Sequence, residues 1–414
     1  MGGPRPTSAT APHTSGFQPS SNYKATALPK GGNVYHDPQT NRTIRTAPDG
    51  RVTHITAQHG MAGTMTINRT HYGRVVETGR PGARVVNWGP HRGYVERPMR
   101  AGYYSRTYVS GGRRYAVVYR EYRYHGYVYS RYVPAYYYGP RYYYWAAQPW
   151  PAPVTYAWGG PMVAPWMYAY PTYFTPAAAY ASPDLWLTDY LLAENLRAAY
   201  DAQQGEADAN ATAAEAPSSP ITPEVRAAIA DEVKQQIVQE QAAAQAPGGS
   251  PAAPKAGRDL ASSEDGPGGE AAPPAMNLKF FVVSSPLDVA TADGQPCSLT
   301  PGDIIERRGK EPDADGNVKA EVVSSKPGDC TSDADLQVKM ADLQDMHNQF
   351  RENIDAGLKV MADNDANSKG LPKAPPAEAR TVSQGTCEPA SDAQSTLLAQ
   401  QDEASRLEAQ VVQN

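Results

Sequence analysis

Arginine and tyrosine recur together along residues 113–129 in a pattern that could bind a polymer. Guanidinium groups pair with acidic groups, and tyrosine rings stack on sugar rings or on nucleic-acid bases. Alternate residues of a β-strand point to opposite faces, so the register decides whether the two residue types share a face. The binding residues that we predict are Arg113, Arg114, Arg120, Tyr122, Arg123, Tyr124, Tyr127 and Tyr129.

This segment lies inside a block of tyrosines. Twenty-two of the 27 tyrosines fall between Tyr94 and Tyr180, and one phenylalanine, Phe174, accompanies them. A water-free core prefers Phe, Leu and Ile, because a buried phenol must also find a hydrogen-bond partner. The block therefore predicts half-exposed surfaces that touch water and a ligand. The alternative is an antiparallel ribbon whose tyrosines pair across strands.

Charge is divided unevenly along the chain, whose net charge is −5. Residues 1–150 carry 20 Lys and Arg against 5 Asp and Glu, whereas the remainder carries 18 against 38. The partners expected for such a basic half are phosphates, acidic glycans, an anionic surface, or the chain's own acidic half.

The sequence lacks the motifs of common enzymes. It contains no Gly-rich phosphate loop, nucleophile elbow, His-Glu-x-x-His or kinase signature. Seven of the eight histidines are scattered at turn-like positions within residues 1–150, and no Cys/His spacing resembles a zinc site. We therefore expect a protein that is not an enzyme and uses neither a cofactor nor a metal.

The cysteines bear on the cellular compartment. Cys297 and Cys330 fall at predicted turns of one small unit, so we predict a disulfide between them, with two free thiols as the alternative, and leave Cys387 unpaired. A disulfide indicates an oxidising compartment. The first residues contain no apolar stretch of signal-peptide length, so the chain is either cytosolic or begins downstream of the natural start.

A turn signal roughly every ten residues over 31–135 predicts short strands in a β-meander. The irregular segment that follows carries eight prolines within 142–183, which excludes a membrane span there. Ser182, Pro183 and Asp184 begin a helix that closes a Tyr/Arg-rich β region over 31–202. We predict disorder over 1–30, a linker over 203–276 with one helix over 222–245, and a disordered tail over 364–414.

Residues 277–363 predict a compact unit that folds alone. Turn signals separate five strand candidates at 279–283, 287–290, 303–306, 318–323 and 336–340. Five short strands over this length indicate a small closed β-barrel, and an amphipathic helix over 342–362 follows it. The fold class that we predict is therefore mainly β with helices.

Five segments resemble a group of tyrosine-rich exported proteins of soil bacteria, acidobacteria especially. They are GNVYHD at 32–37, RGYVERP at 92–98, SPDLWLTDYLL at 182–192, LTPGD at 299–303 and ADLQDM at 341–346. The resemblance implies export, and it transfers no functional residue because the group has no established activity. The predicted barrel is also similar to bacterial SH3-like domains, many of which associate with cell walls.

These observations favour an envelope or extracellular protein, with a periplasmic, cell-surface or extracellular location. Its Tyr/Arg-rich surfaces would bind a glycan or peptidoglycan without catalysis. The alternatives are a single-stranded nucleic-acid binder, a self-assembling structural scaffold, and a cytoplasmic location.

Overall fold

The structure is a computed structural model that is mainly β with helices. Residues 1–16, which the sequence predicts to be disordered, lie outside its described part, as do 205–218 and 247–271 of the predicted linker. The described residues are 17–28, 31–59, 63–70, 73–80, 82–89, 92–100, 102–110, 112–159, 164–204, 219–246, 272–363 and 370–413.

The first sheet is an eleven-stranded antiparallel meander in which each strand pairs with its neighbours in sequence, so the predicted Tyr/Arg-rich meander is confirmed. Most strands are seven to nine residues long, and turns such as His125-Gly126, with φ of 48° and 82°, join them as tight hairpins. The strands are β1 (Lys24–Ala27), β2 (Asn33–Asp37), β3 (Arg42–Thr46), β4 (Val52–His59), β5 (Gly63–Thr70), β6 (Gly73–Arg80), β7 (Ala83–Gly89), β8 (Arg92–Arg100), β9 (Tyr103–Ser110), β10 (Arg113–Tyr124) and β11 (Tyr127–Val133).

Strand β1 corrects the predicted disorder of residues 1–30. It pairs with β2, and the ring of Phe17 contacts Tyr23 and Tyr35 at centroid distances of 5.6 and 5.0 Å. Aromatic packing and strand pairing therefore order residues 17–28, although Pro, Ser and Thr dominate the sequence around them.

The predicted disordered tail is also wrong, because residues 370–413 pack back onto the first sheet. A short strand pairs with β12 (Tyr136–Tyr137), and a long helix then crosses β6 to β9. In that helix Leu397 packs against Val95 and Val109 on one face of the sheet.

The second sheet has the strand order β13-β16-β17-β18-β14-β15 and is open, so the closed SH3-like barrel expected from the sequence is not formed. Edge strand β13 packs against two helices, α4 (Pro223–Gln245) and α5 (Met340–Ala362), instead of pairing with β15. Strand β15 was not predicted, because Pro296 and Ser298 have low β propensity. The strands are β13 (Phe280–Val282), β14 (Leu287–Thr291), β15 (Pro296–Leu299), β16 (Ile304–Arg307), β17 (Asn317–Ser324) and β18 (Asp335–Lys339).

Cys297 and Cys330 form a disulfide, as predicted, with their Cα atoms 5.2 Å apart. Cys297 lies on β15 rather than at a turn, and Cys330 is buried in the core of the second sheet. Cys387 is a partly buried free cysteine.

Helix α5 is the central helix of the molecule, because it packs against β11 of the first sheet, against β13 and β18 of the second sheet, and against α4. Leu343 and Met346 belong to the core of the second sheet, while Ile354 and Leu358 pack with the other helices. The unit over 277–363 therefore shares its core with the rest of the chain. The other elements are α1 (Pro140–Ala146), α2 (Trp166–Ala169), α3 (Pro183–Gln204), β19 (Arg380–Thr381) and α6 (Ala393–Gln413).

Most tyrosines of the block are buried, which corrects the expectation of half-exposed surfaces. Several of their hydroxyls find acceptors across the core: Tyr132 donates to Asp355 Oδ2 at 2.9 Å, and Tyr173 donates to the carbonyl of Gly302 at 2.7 Å. A phenol with a partner can be buried like any large aromatic ring. The block is therefore largely core, and few of its rings reach solvent.

Candidate ligand-binding cleft

The predicted binding tyrosines lie at an internal interface. Tyr129 is buried in the core of the second sheet, and Tyr122 and Tyr124 pack against that core. The hydroxyl of Tyr127 donates to the carbonyl of Ala314 in the turn before β17. This end of the β10–β11 hairpin joins the two sheets.

The predicted binding arginines do not lie together. Arg113, Arg114 and Arg123 are exposed, and Arg114 donates to the carbonyl of Ala390 at 3.3 Å. Arg120 lies 5.8 Å from the ring centroid of Tyr103. The eight predicted residues therefore do not form one surface.

Other arginines of the basic half are paired inside the molecule. Arg106 Nη2 lies 2.7 Å from Glu96 Oε1, and Arg84 Nη2 lies 2.7 Å from Asp345 Oδ2 on α5. Against the opposing effect of burial, Arg84 and Arg106 hold the pKa of Asp345 below its usual value. Arg69 pairs with Glu408 of α6. Arg84 and Arg69 thus pair with carboxylates of the chain's own acidic half, whereas Arg106 pairs with Glu96 of the basic half.

A cleft of about 170 Å³ opens beside this ionic network, between the first sheet, α3 and α5. One wall is aromatic. The ring of Tyr115 stacks on Tyr108 at a centroid distance of 5.0 Å and an interplanar angle of 18°, and Trp88 lies 6.3 Å beyond Tyr108. Tyr115 is 49% exposed whereas Tyr108 is 4% exposed. Tyr115 therefore presents an accessible ring that a buried ring supports.

The opposite wall is polar: α3 supplies Glu194, Arg197 and Asp201, and Arg92 of β8 extends to it from the first sheet. Arg92 Nη2 lies 2.9 Å from Asp201 Oδ2, and Arg197 Nη1 lies 2.8 Å from Glu194 Oε1. Burial raises the pKa of Glu194, although Arg197 opposes the rise. Asn195, also on α3, lines the same wall. Two carboxylates thus balance two guanidinium groups.

Helix α5 supplies two amides to the cleft. Gln349 accepts a hydrogen bond from Tyr108 Oη at 3.2 Å, which holds the supporting ring in place. Asn353 makes no side-chain hydrogen bond to the described residues, so its amide is available to a ligand. The indole N–H of Trp88 is likewise buried without a partner in that part of the chain. Pro286 and Pro301 complete the lining from the second sheet.

This arrangement suits a ring that has one apolar face and hydroxyl groups around its edge. An aromatic ring packs on the apolar face, while carboxylates, amides and guanidinium groups bond the hydroxyls. The volume is below the roughly 300–1,000 Å³ of sites that enclose a whole small molecule, so the cleft accommodates one ring-sized unit.

Sequence reasoning missed the polar wall because it assigned α3 only the role of closing the Tyr/Arg-rich β region. A signal was present: Glu194, Arg197 and Asp201 recur at i, i+3 and i+7, which places three charged residues on one helix face. Tyr115 belongs to the tyrosine block but was not among the predicted binding residues, and Trp88 lies outside that block.

Within the described residues, no group of His, Cys, Asp and Glu side chains is placed to hold a metal ion. No helix in the same part of the chain is long and apolar enough to cross a membrane. No family model, no curated protein and no solved structure matches this chain.

Proposed function

We propose that the protein binds a saccharide polymer, with cell-wall glycan as the first choice, and that one sugar unit occupies the cleft. The observation that carries this proposal is the accessible ring of Tyr115, stacked on Tyr108, across from the carboxylates and amides of α3 and α5. Neutral or partly acidic sugars combine the apolar face and hydroxyl edge that such walls bind. The role is binding without catalysis.

The charge of the cleft favours a glycan over a nucleic acid. Proteins that hold single strands line a groove with cations that follow the phosphates. Here Asp201 and Glu194 neutralise Arg92 and Arg197, so the cleft lacks the row of unpaired cations that follows a phosphate chain.

The disulfide supports a location outside the cytoplasm, because such bonds persist in oxidising compartments. The periplasm, the cell surface and the extracellular space all meet this condition, and cell-wall polymers are accessible from each of them.

The test uses the full chain with three probes: purified peptidoglycan, polygalacturonate as an acidic polysaccharide, and the single strand poly(dT). We expect binding to peptidoglycan or polygalacturonate. Tyr115→Ala should weaken it by about three- to tenfold, since aromatic stacking contributes about 0.5–1.5 kcal/mol. The matched control is Tyr144→Ala, because Tyr144 is 62% exposed and does not line the cleft.

Salt separates the two kinds of contact. Charge attraction is screened within about 8 Å at physiological ionic strength. Arg197→Gln should therefore weaken binding at low salt and leave the affinity at high salt unchanged. Stacking on Tyr115 should persist at high salt. Equal binding by wild type and Tyr115→Ala would overturn the assignment of the cleft. Tighter binding of poly(dT) would favour the nucleic-acid alternative, and self-association without polymer binding would favour the scaffold.

A further inference from the structure

A fully buried lysine lies at one end of the second sheet. Lys326 follows β17, Asp303 immediately precedes β16, and both side chains have no exposed surface. Asp329, three residues after Lys326, is also buried. The cleft does not use any of these three residues.

The geometry places the lysine nitrogen against one carboxyl group and near the other. Lys326 Nζ contacts Asp303 Oδ1, and it lies 3.4 Å from Asp329 Oδ2 and 3.3 Å from the carbonyl oxygen of Thr300. The ring centroid of Tyr173 is 5.5 Å away. The nitrogen is thus enclosed by two acids, a carbonyl and an aromatic ring.

Backbone donors hold the carboxyl group of Asp303 in a fixed orientation. The Thr300 N–H donates to Oδ2 at 2.8 Å, and the Lys326 N–H donates to Oδ1 at 3.0 Å. The hydroxyl of Thr300 donates to Asp329 Oδ2 at 2.6 Å, which positions the second acid. Reacting groups held in this way meet in a defined orientation.

Removing an ammonium or a carboxylate from water is costly, and here two acids face one amine. Burial and the adjacent Asp303 carboxyl raise the pKa of Asp329 well above its usual range. An uncharged amine is a nucleophile, and a carboxylic acid in contact with it is an electrophile.

We propose that Lys326 and Asp303 condense to form an intramolecular amide bond. One proton first passes from the ammonium to the Asp303 carboxylate, which gives a neutral amine and a carboxylic acid. The bond between Lys326 Nζ and Asp303 Cγ forms, a Cγ–O bond breaks, and one water leaves. Asp329, which starts as the acid, donates its proton to the departing oxygen, then takes one from the nitrogen, and ends unchanged. No oxidant or cofactor takes part.

The amide would form a second covalent link beside the disulfide. Cys297 and Asp303 flank the β15–β16 turn, whereas Lys326 and Cys330 both lie in the segment after β17. The two bonds therefore join the same two stretches of chain, but only the amide resists reduction.

Intact mass spectrometry of the reduced full-length protein tests the proposal. The expected mass is lower than that of the sequence by one water, and an unchanged mass overturns the proposal. Lys326 precedes Pro327, so trypsin leaves residues 320–339 as one peptide. After reduction and alkylation this peptide should remain joined to the peptide 280–307.

Two variants define the chemistry. Lys326→Met has no reactive nitrogen, so its two tryptic peptides should separate. Asp329→Asn keeps the reacting pair but removes the proton shuttle, so its mass should show no loss of water, or a loss that develops only on long incubation. Full and immediate loss of water from Asp329→Asn would overturn the role of Asp329. The mass of the wild type decides the bond itself, whether or not the variants fold.

Discussion

The hydroxyl of Tyr119, in the middle of β10, donates a hydrogen bond to the carboxylate of Glu352 on α5, and both side chains are buried. The guanidinium of Arg106 lies 4.3 Å from the ring centroid of Tyr119 and donates to its hydroxyl at 3.2 Å. A single phenol therefore connects the first sheet, an ionic network and the central helix.

The first prediction concerns the pH dependence of stability. Burial raises the pKa of Glu352 from 4.5 to about 7, against the hydrogen bond from Tyr119, which lowers it. The folded state therefore binds the proton more tightly than the unfolded state, and the resulting stability is lost as the pH rises from about 4.5 through 7. Over this pH range the free energy of unfolding of Glu352→Gln should therefore fall by about 3 kcal/mol less than that of the wild type, at 1.36 kcal/mol per pKa unit.

Urea denaturation at several pH values in this window measures the effect as the difference between the two proteins, so other titrating groups cancel. Glu311→Gln, at an exposed position, is the control and should follow the wild type. Parallel curves for wild type and Glu352→Gln would show that Glu352 has an ordinary pKa in the folded protein.

The second prediction concerns the packing of α6. Leu397 is fully buried against Val95 and Val109, whereas its neighbour Leu398 is 38% exposed. Leu397→Ala should lower the free energy of unfolding by about 2–5 kcal/mol, because it leaves a cavity under the helix. Leu398→Ala should change it by less than about 0.5 kcal/mol. Thermal denaturation distinguishes them, and equal effects would mean that the tail does not dock.

Local signals predicted the parts of the fold that local sequence determines. Thr222 caps α4 and accepts a hydrogen bond from Val225 N, as its position before Pro223 indicates. The regular turns likewise predict the meander. Docking of α6 was missed because Leu397 contacts Val95 and Val109, which lie almost 300 residues earlier in the chain.

Contacts between residues that are far apart in the sequence also explain why the binding residues predicted from the sequence differ from those that line the cleft. The acceptor for Tyr132 is Asp355, which is more than 200 residues away, so the sequence did not show that the phenols of the block have buried partners. The cleft joins Tyr115 of β10 to Glu194 of α3, and only tertiary packing brings these walls together.

The third prediction separates packing from hydrogen bonding among the tyrosines. The hydroxyl of Tyr129 is buried without a partner among the described residues, so Tyr129→Phe should be neutral or slightly stabilising. Tyr132→Phe removes the donor to Asp355 and should cost about 1–3 kcal/mol. Tyr129→Ala should cost about 3–5 kcal/mol, because it empties part of the second sheet's core.

Chemical denaturation of the three variants tests the order of their effects. Polymer binding, measured beside it, bears on the binding role that the sequence predicts for Tyr129. If Tyr129→Ala kept full stability and lost binding, Tyr129 would be a binding residue rather than a packing residue.

The last prediction couples the disulfide to the proposed amide. Closing the loop between Cys297 and Cys330, which are 33 residues apart, should stabilise the fold by about 3–4 kcal/mol on the loop-entropy estimate. An amide between Lys326 and Asp303 closes a loop nested inside that one. Reduction of the wild type should then cost about 1 kcal/mol less than it would without the amide, because the amide shortens the loop that the disulfide closes to about ten residues.

The comparison requires urea denaturation of the wild type and Asp329→Asn, each with and without reductant. We expect reductant to lower the stability of Asp329→Asn by the full 3–4 kcal/mol, and that of the wild type by about 1 kcal/mol less, since the disulfide then closes a loop of only about ten residues. Cys297→Ser, made both in the wild type and in Asp329→Asn, provides the control, since reductant should leave the stability of each protein unchanged.

A loss of the full 3–4 kcal/mol in the reduced wild type would mean that its unfolded chain carries no second link, in agreement with an unchanged intact mass. A small loss in both proteins would place the stabilising effect of the disulfide in the folded state, and the two bonds would then not be coupled through the loop.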